Sequence, residues 1–427
     1  MLSSVAVLAC TSLAMPAAKA QAAPGYLYVW GSAADTASPN RDSTVKPPRA
    51  RPAVFLTIDV RRDSPTLGKV VGAMLVDAAG LAAHHTEHAL ATDGILFAND
   101  FGVGRTYRFD LNTPGAPNLL GHFSKAGPLA YPHSFVRLAN GNVLATFQRR
   151  TSGDSTAPPG GIAELRRNGT LVRWSSAAPK GIDSTTILPY SLEVVPAIDR
   201  VITTSTSMTS DVGVHVQIWR LSTLELLQTM EVPRASGDAM SHGHAATTSK
   251  ASAPPPHDTH HMLPGEPRLL ADGRTVMFGT FTCGLYRLTG IEATPKLEFL
   301  RAFPGEDCAV PLRVGRFWVQ TVPADRALVV LDVSDSARPR EVSRLTFDER
   351  VTPHWLSVDA TGRHVVMTSG TPRDARVHVA RFDPATGALT LDKDTPTIDL
   401  SRVAIRGLGV VRVVPHGSVF GPAASTR

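Results

Sequence analysis

Long apolar runs, paired cysteines and the familiar catalytic signatures are all missing from this chain. Beyond the first 22 residues no stretch of 18 apolar residues occurs, so no membrane span is expected. Only three cysteines are present in 427 residues, without C-x-x-C or zinc-finger spacing, which excludes a thiol redox pair or a Cys-based zinc site. No G-x-S-x-G, G-x-x-x-x-G-K-[ST] or H-E-x-x-H pattern occurs, so those nucleophile, nucleotide and metalloprotease chemistries are not supported. Gly102 and Gly104 have dinucleotide-loop spacing, but the third glycine is absent and the segment lies between strand-like runs. Aromatic residues are only 6% of the chain. The net charge of +6 is spread along its length, with no Lys/Arg cluster interleaved with aromatics, so nucleic-acid binding is not expected.

The N-terminus reads as an export signal. Leu2 to Met15 is apolar and small, and Ala18-Lys19-Ala20 or Ala20-Gln21-Ala22 offers a small-residue cleavage site, although a basic first segment is lacking. The expected division is a signal peptide over 1–22 and one domain over 23–427, located in the periplasm or secreted. Once the signal is removed, Cys283 and Cys308 remain, as one disulfide or as two free thiols.

What is abundant is turn-forming residues, 34 Gly and 33 Pro, and a recurring unit. A His or Tyr opens an apolar segment, followed by a turn and a second apolar run. The instances are His85 in HHTEHALATDGILFAND, His133 in PHSFVRLANGNVLATFQ, Tyr190 in PYSLEVVPAIDRVITTS, His354 in PHWLSVDATGRHVVMTS and His416 in PHGSVFGP. Each unit reads as one antiparallel sheet that cannot bury both faces alone. Its recurrence predicts an all-β fold, a single seven-bladed β-propeller. Tyr26–Trp30, Ala53–Val60 and Lys69–Leu75 read as three strands of the first blade, which has no His-led strand of its own. The run GVVRVVPHGSVF near the C-terminus has that opening but too little chain after it for a blade. Pairing of the N- and C-terminal strands in the first blade therefore closes the ring. The segments 31–52 and 235–257 are too long for tight turns and read as a lid, a partner surface or disorder.

If the marked positions open the innermost strands, they ring the central channel. The fifth blade offers His257, His260 or His261, and the sixth Asp307 or Cys308. Converging neutral imidazoles are the ligand set of copper, zinc, iron or nickel. The candidate metal ligands are His84, His85, His133, His260, His261, His354 and His416. Tyr190 and Cys308 are candidate donors of a proton or an electron. Glu87, Glu193, Asp258 and Tyr190 are candidates to fix the imidazole tautomers. His242 and His244, in the long loop, read more simply as solvated.

The segments AVFLTIDVRRDSPTLGKVV, HHTEH with ATDGILFAND, and PHSFVRLANGNVLATFQ resemble the selenium-binding protein family, whose bacterial members include methanethiol oxidase. The resemblance is best over residues 53–147. It implies a seven-bladed propeller with a copper site, which maps here onto His84, His85, His133 and His416. The chain departs from the family in lacking its Cys pair after the paired histidines. The reading that follows is an exported, monomeric, copper-dependent oxidoreductase acting on a small substrate, a thiol being one class. A metal-assisted hydrolase such as a lactonase and a non-catalytic binding scaffold are the alternatives.

Overall fold

The computed structural model describes residues 24–34, 51–152, 155–207, 210, 212–234, 260–371, 373–395 and 397–422. The expected signal peptide, most of the segment 31–52, and the loop with His242, His244, His257 and Asp258 lie outside them. The described chain folds into seven antiparallel sheets. Six of them follow chain order, each opening on an inner strand, which in the third blade is preceded by the two-residue strand Lys125–Ala126. The inner strands are Ala83–Thr86, Leu129–Arg137, Pro189–Val195, Pro264–Leu269, Leu312–Val314 and Pro353–Val358. These are the second to seventh blades of the expected propeller.

The first blade is built from both ends of the chain. Its strand order runs Val70–Asp77, Ala53–Asp59, Pro24–Ala34, Gly409–Pro422 and Val403–Ile405. Tyr28 lies opposite Thr57 on one side and Val419 on the other. The C-terminal strand thus covers an edge that the first blade would otherwise expose.

Packing explains why no blade stands alone. Seven large apolar clusters are buried, each shared by two neighbouring blades. Between the first and second blades Trp30, Phe55 and Phe109 are buried, with the Phe55 and Phe109 rings stacked at 4.2 Å. Full burial of such a side chain contributes about 2–3 kcal/mol. Alternating apolar residues on each strand feed the cluster on either face, which is why the blade strands read as near-continuous apolar runs. Cys283 and Cys308 form a disulfide inside the cluster shared by the fifth and sixth blades. Among the described residues no helix is long and apolar enough to cross a membrane.

Candidate metal centre

The Pro-His openings matter because of what the backbone does there. In the second blade the pairing register shifts between Ala83 and Thr86, across His84 and His85. Equivalent shifts fall in the strands carrying His133, Tyr190 and His354, and at His416–Gly417 in the closing strand. A bulge adds a residue on one strand and re-aims its side chain. At these five bulges the side chains come together at the ring's centre.

His84, His85, His354 and His416 each offer a ring nitrogen, and the four nitrogens lie within 4.8 Å of one another. They come from the second, seventh and first blades, the region where the ring is closed. The His84 and His85 rings stack at 3.9 Å, and His416 lies 4.4 Å from His84 and 4.7 Å from His354, centre to centre. His84 and His85 are buried, whereas His354 and His416 keep part of their surface in solvent.

His133 stands at the cluster's flank, 4.8 Å from His85 and 5.1 Å from His84 between ring centres. Its Nδ1 lies 2.7 Å from the Tyr190 carbonyl oxygen. A carbonyl only accepts, so Nδ1 carries the proton and Nε2 keeps a lone pair, and Nε2 is buried without a hydrogen-bond partner. Tyr190 thus fixes a tautomer as expected, through its main chain rather than its phenol. The phenol Oη is itself buried and without a hydrogen bond, with its ring 4.1 Å from His133.

Asn99 ties the two histidine strands together. Its side chain accepts from the His85 N–H at 2.7 Å and donates to the carbonyls of Pro132 and His133. Trp355, beside His354, stacks on His88 at 4.5 Å and donates to the Ser418 carbonyl. These contacts give the segments HHTEH, ATDGILFAND and PHW a common structural purpose.

Desolvation keeps the imidazoles neutral. Burial pulls the His133 and His354 rings down to about 4. Burial, then the neighbouring imidazoles, pulls His84, His85 and His416 well below the usual histidine range. Burial, reinforced by the Glu266 charge, pushes the Tyr190 phenol well above its usual value. A set of neutral imidazoles around one point is a ligand set in its binding form. His84 Nδ1, both His85 nitrogens and His416 Nδ1 make no hydrogen bond. Buried polar atoms are nearly always paired, and a shared cation is one thing that would satisfy these.

Other expectations are corrected. Cys308 is bonded to Cys283 and offers no thiol, so its expected donor role is withdrawn. His260 and His261 occupy the turn before the fifth blade, His260 Nδ1 lying 2.6 Å from the Thr282 carbonyl oxygen, and neither belongs to the group of four. Glu87 is committed to Arg137 and the Phe97 N–H, and Glu193 accepts from the Leu269 N–H, so neither orients a cluster histidine.

The residue that sequence reasoning missed is Glu266. It lies in the fifth blade's inner strand, within the register shift between Pro264 and Pro267, the counterpart of the Pro-His bulges. The signal lies in Pro264-Gly265-Glu266, where a carboxylate stands in place of the His or Tyr of the other units.

No protein-family model matches the chain, and no curated protein sequence matches it significantly. Solved structures do match its fold. A hypothetical selenium-binding protein from Sulfolobus tokodaii superposes with a TM-score of 0.69 at 13% identity, over 95% of this chain and 96% of that one. The periplasmic gluconolactonase of Pseudomonas aeruginosa gives 0.58 at 15% identity, over 93% and 100%. A putative 6-phosphogluconolactonase from Bacteroides fragilis gives 0.54 at 12%, over 93% and 98%. At these identities the likeness is one of fold.

Proposed function

We propose that this protein is an exported, copper-dependent oxidoreductase acting on a small substrate, with thiols the first class to test. The observation that carries the reading is the group of four imidazole nitrogens within 4.8 Å, with no carboxylate among them. Such a donor set suits copper, zinc, iron or nickel and not calcium, which takes oxygen ligands. His84, His85, His354 and His416 would hold the ion, with His133 Nε2 as a further donor at its flank. Bound there, copper would supply one-electron redox chemistry.

The chain's own residues supply the remainder. The Tyr190 carbonyl keeps the His133 proton on Nδ1. The Tyr190 phenol, kept protonated by its burial, is placed to give a proton or hydrogen atom near His133 and His85. Phe281 and Trp355 exclude water on the buried side. The part-exposed His354 and His416 leave room for a small molecule from solvent. The apolar N-terminal segment and the Cys283–Cys308 bond support an oxidising compartment.

A lactonase is the second reading, favoured by the gluconolactonase names among the fold neighbours. The absence of a carboxylate from the group of four places it lower. The deciding experiment is elemental analysis after copper loading and exhaustive dialysis, on wild type, His85→Ala and His133→Ala. About one copper per chain in wild type, lost in the variants, is expected for a single site. Peroxide release with a small thiol, against acid release from a lactone, then separates the two activities. A wild-type protein that retains no metal would sink both and leave a binding scaffold.

A further inference from the structure

Beneath the imidazole cluster sits a buried carboxylate with one oxygen occupied and the other free of hydrogen bonds. Glu266 Oε2 accepts from Ser191 Oγ at 2.8 Å and from Arg268 Nη1 at 3.0 Å. His88 Nε2 lies 3.2 Å from the same oxygen, but it also lies 3.0 Å from Arg268 Nη2. The guanidinium only donates and the carboxylate only accepts, so His88 Nε2 serves one of these two partners and not both. Glu266 Oε1 makes no hydrogen bond at all, and the nitrogen it faces is His85 Nδ1, 3.3 Å away and equally without one. Both residues are buried, Glu266 at 2% and His85 at 1% exposure.

We infer that Glu266 is the positioning residue of the metal centre, fixing the His85 proton on Nδ1 and so leaving Nε2 as the ligand atom. The inference rests on the metal reading above. Two independent features point the same way. Glu266 occupies the fifth blade's bulge, the position that in five other blades aims a residue at the ring's centre. Its charge is also secured from below. Arg268 Nη1, 3.0 Å from Oε2, pairs with the carboxylate, and Ser191 Oγ donates to the same oxygen. An ionised carboxylate has only lone pairs to offer, so the imidazole edge facing it must carry the hydrogen. Such a partner orients the ring and makes it a better donor, and losing one typically weakens metal affinity about 10–100-fold.

The test uses the full chain with ring-15N histidine, the His85 signals being those absent from His85→Ala. In metal-free wild type the Nδ1–H form of His85 is expected, and in Glu266→Ala a shift toward the Nε2–H form. Cu2+ affinity, measured by competition with a chelator, should fall about 10–100-fold in Glu266→Ala. Glu266→Gln keeps the volume, guards against misfolding in the alanine variant, and should change the Cu2+ EPR spectrum while melting as a folded protein. An Nε2–H His85 in wild type, or variants with unchanged tautomer and unchanged Cu2+ affinity, would overturn the inference. Wild-type protein that holds no Cu2+ sinks the metal reading instead, and the ring tautomer in wild type and Glu266→Ala then decides the role of Glu266 by itself.

Discussion

A histidine that must bind a cation in a protein's interior has to be kept neutral there, and this chain does so by burying its rings against one another. The consequence is a pH dependence with a definite sign. His133 and His354 sit at about 4 in the folded chain, below the ordinary value of 6.5. Between these limits the unfolded chain binds protons that the folded one does not, so stability is present above about 6.5 and is lost as pH falls toward 4. Metal-free protein should lose a few kcal/mol of unfolding free energy across that window, measured by denaturant titration. Replacing His133 and His354 together by Gln should make the slope shallower without abolishing it, because His84, His85 and His416 are held down as well, and a slope unchanged in that variant would place its origin elsewhere. At this scale the sequence was largely legible, because Pro-His recurs where the chain turns into a blade. Glu266 escaped because a carboxylate after Pro-Gly is an ordinary turn sequence, and only the spatial match of its bulge to the others marks it. Cys308 misled for the opposite reason: it stands where the sixth blade's inner position was expected, whereas its partner Cys283 draws it into the interblade core.

At the scale of the element, the bulged strands are held in register by contacts that leave little tolerance. A Cβ on Gly417 would lie 2.7 Å from the Thr86 N and 2.9 Å from the His84 carbonyl oxygen. Gly417→Ala must therefore push the closing strand off the second blade. It is expected to cost roughly 1–3 kcal/mol and to lower copper loading, by chemical denaturation and elemental analysis. Asn99→Leu acts on the same pair of strands by removing the acceptor for the His85 N–H and the donor to two carbonyls. An orphaned buried N–H costs about 1–3 kcal/mol, so a loss of that size is expected in the same titration. The disulfide offers the contrast. Its residues are 25 apart in sequence and outside the group of four, so Cys283→Ala with Cys308→Ala should lower stability by about 2–4 kcal/mol and leave copper stoichiometry unchanged. Strand existence was readable from apolar runs and turn residues. The bulges were not, because a register shift is a relation between two strands and neither sequence alone records it.

For the whole molecule, the position of the cluster and the position of the ring's seam coincide. The first blade is held together by pairing of Pro24–Ala34 with Gly409–Pro422, not by a covalent turn. His416 lies on that closing strand, while His84, His85 and His354 lie on the blades at either side. An ion shared by these residues would bridge three blades across the place where the ring is fastened by strand pairing. Ligand that binds only the folded chain stabilises it by mass action, about 2.7 kcal/mol at a hundredfold excess over Kd. A merely global effect would slow amide exchange throughout, whereas a clasp at the seam slows local opening there first. Copper should therefore protect amides of Pro24–Ala34 and Gly409–Pro422 more than those of the fourth blade, Pro189–Glu231, in hydrogen-exchange mass spectrometry. His416→Ala should abolish the difference while leaving the metal-free exchange pattern of the fourth blade as it was. Uniform protection across all seven blades would mean that the seam opens only with the whole ring, and that the ion stabilises the fold without fastening it.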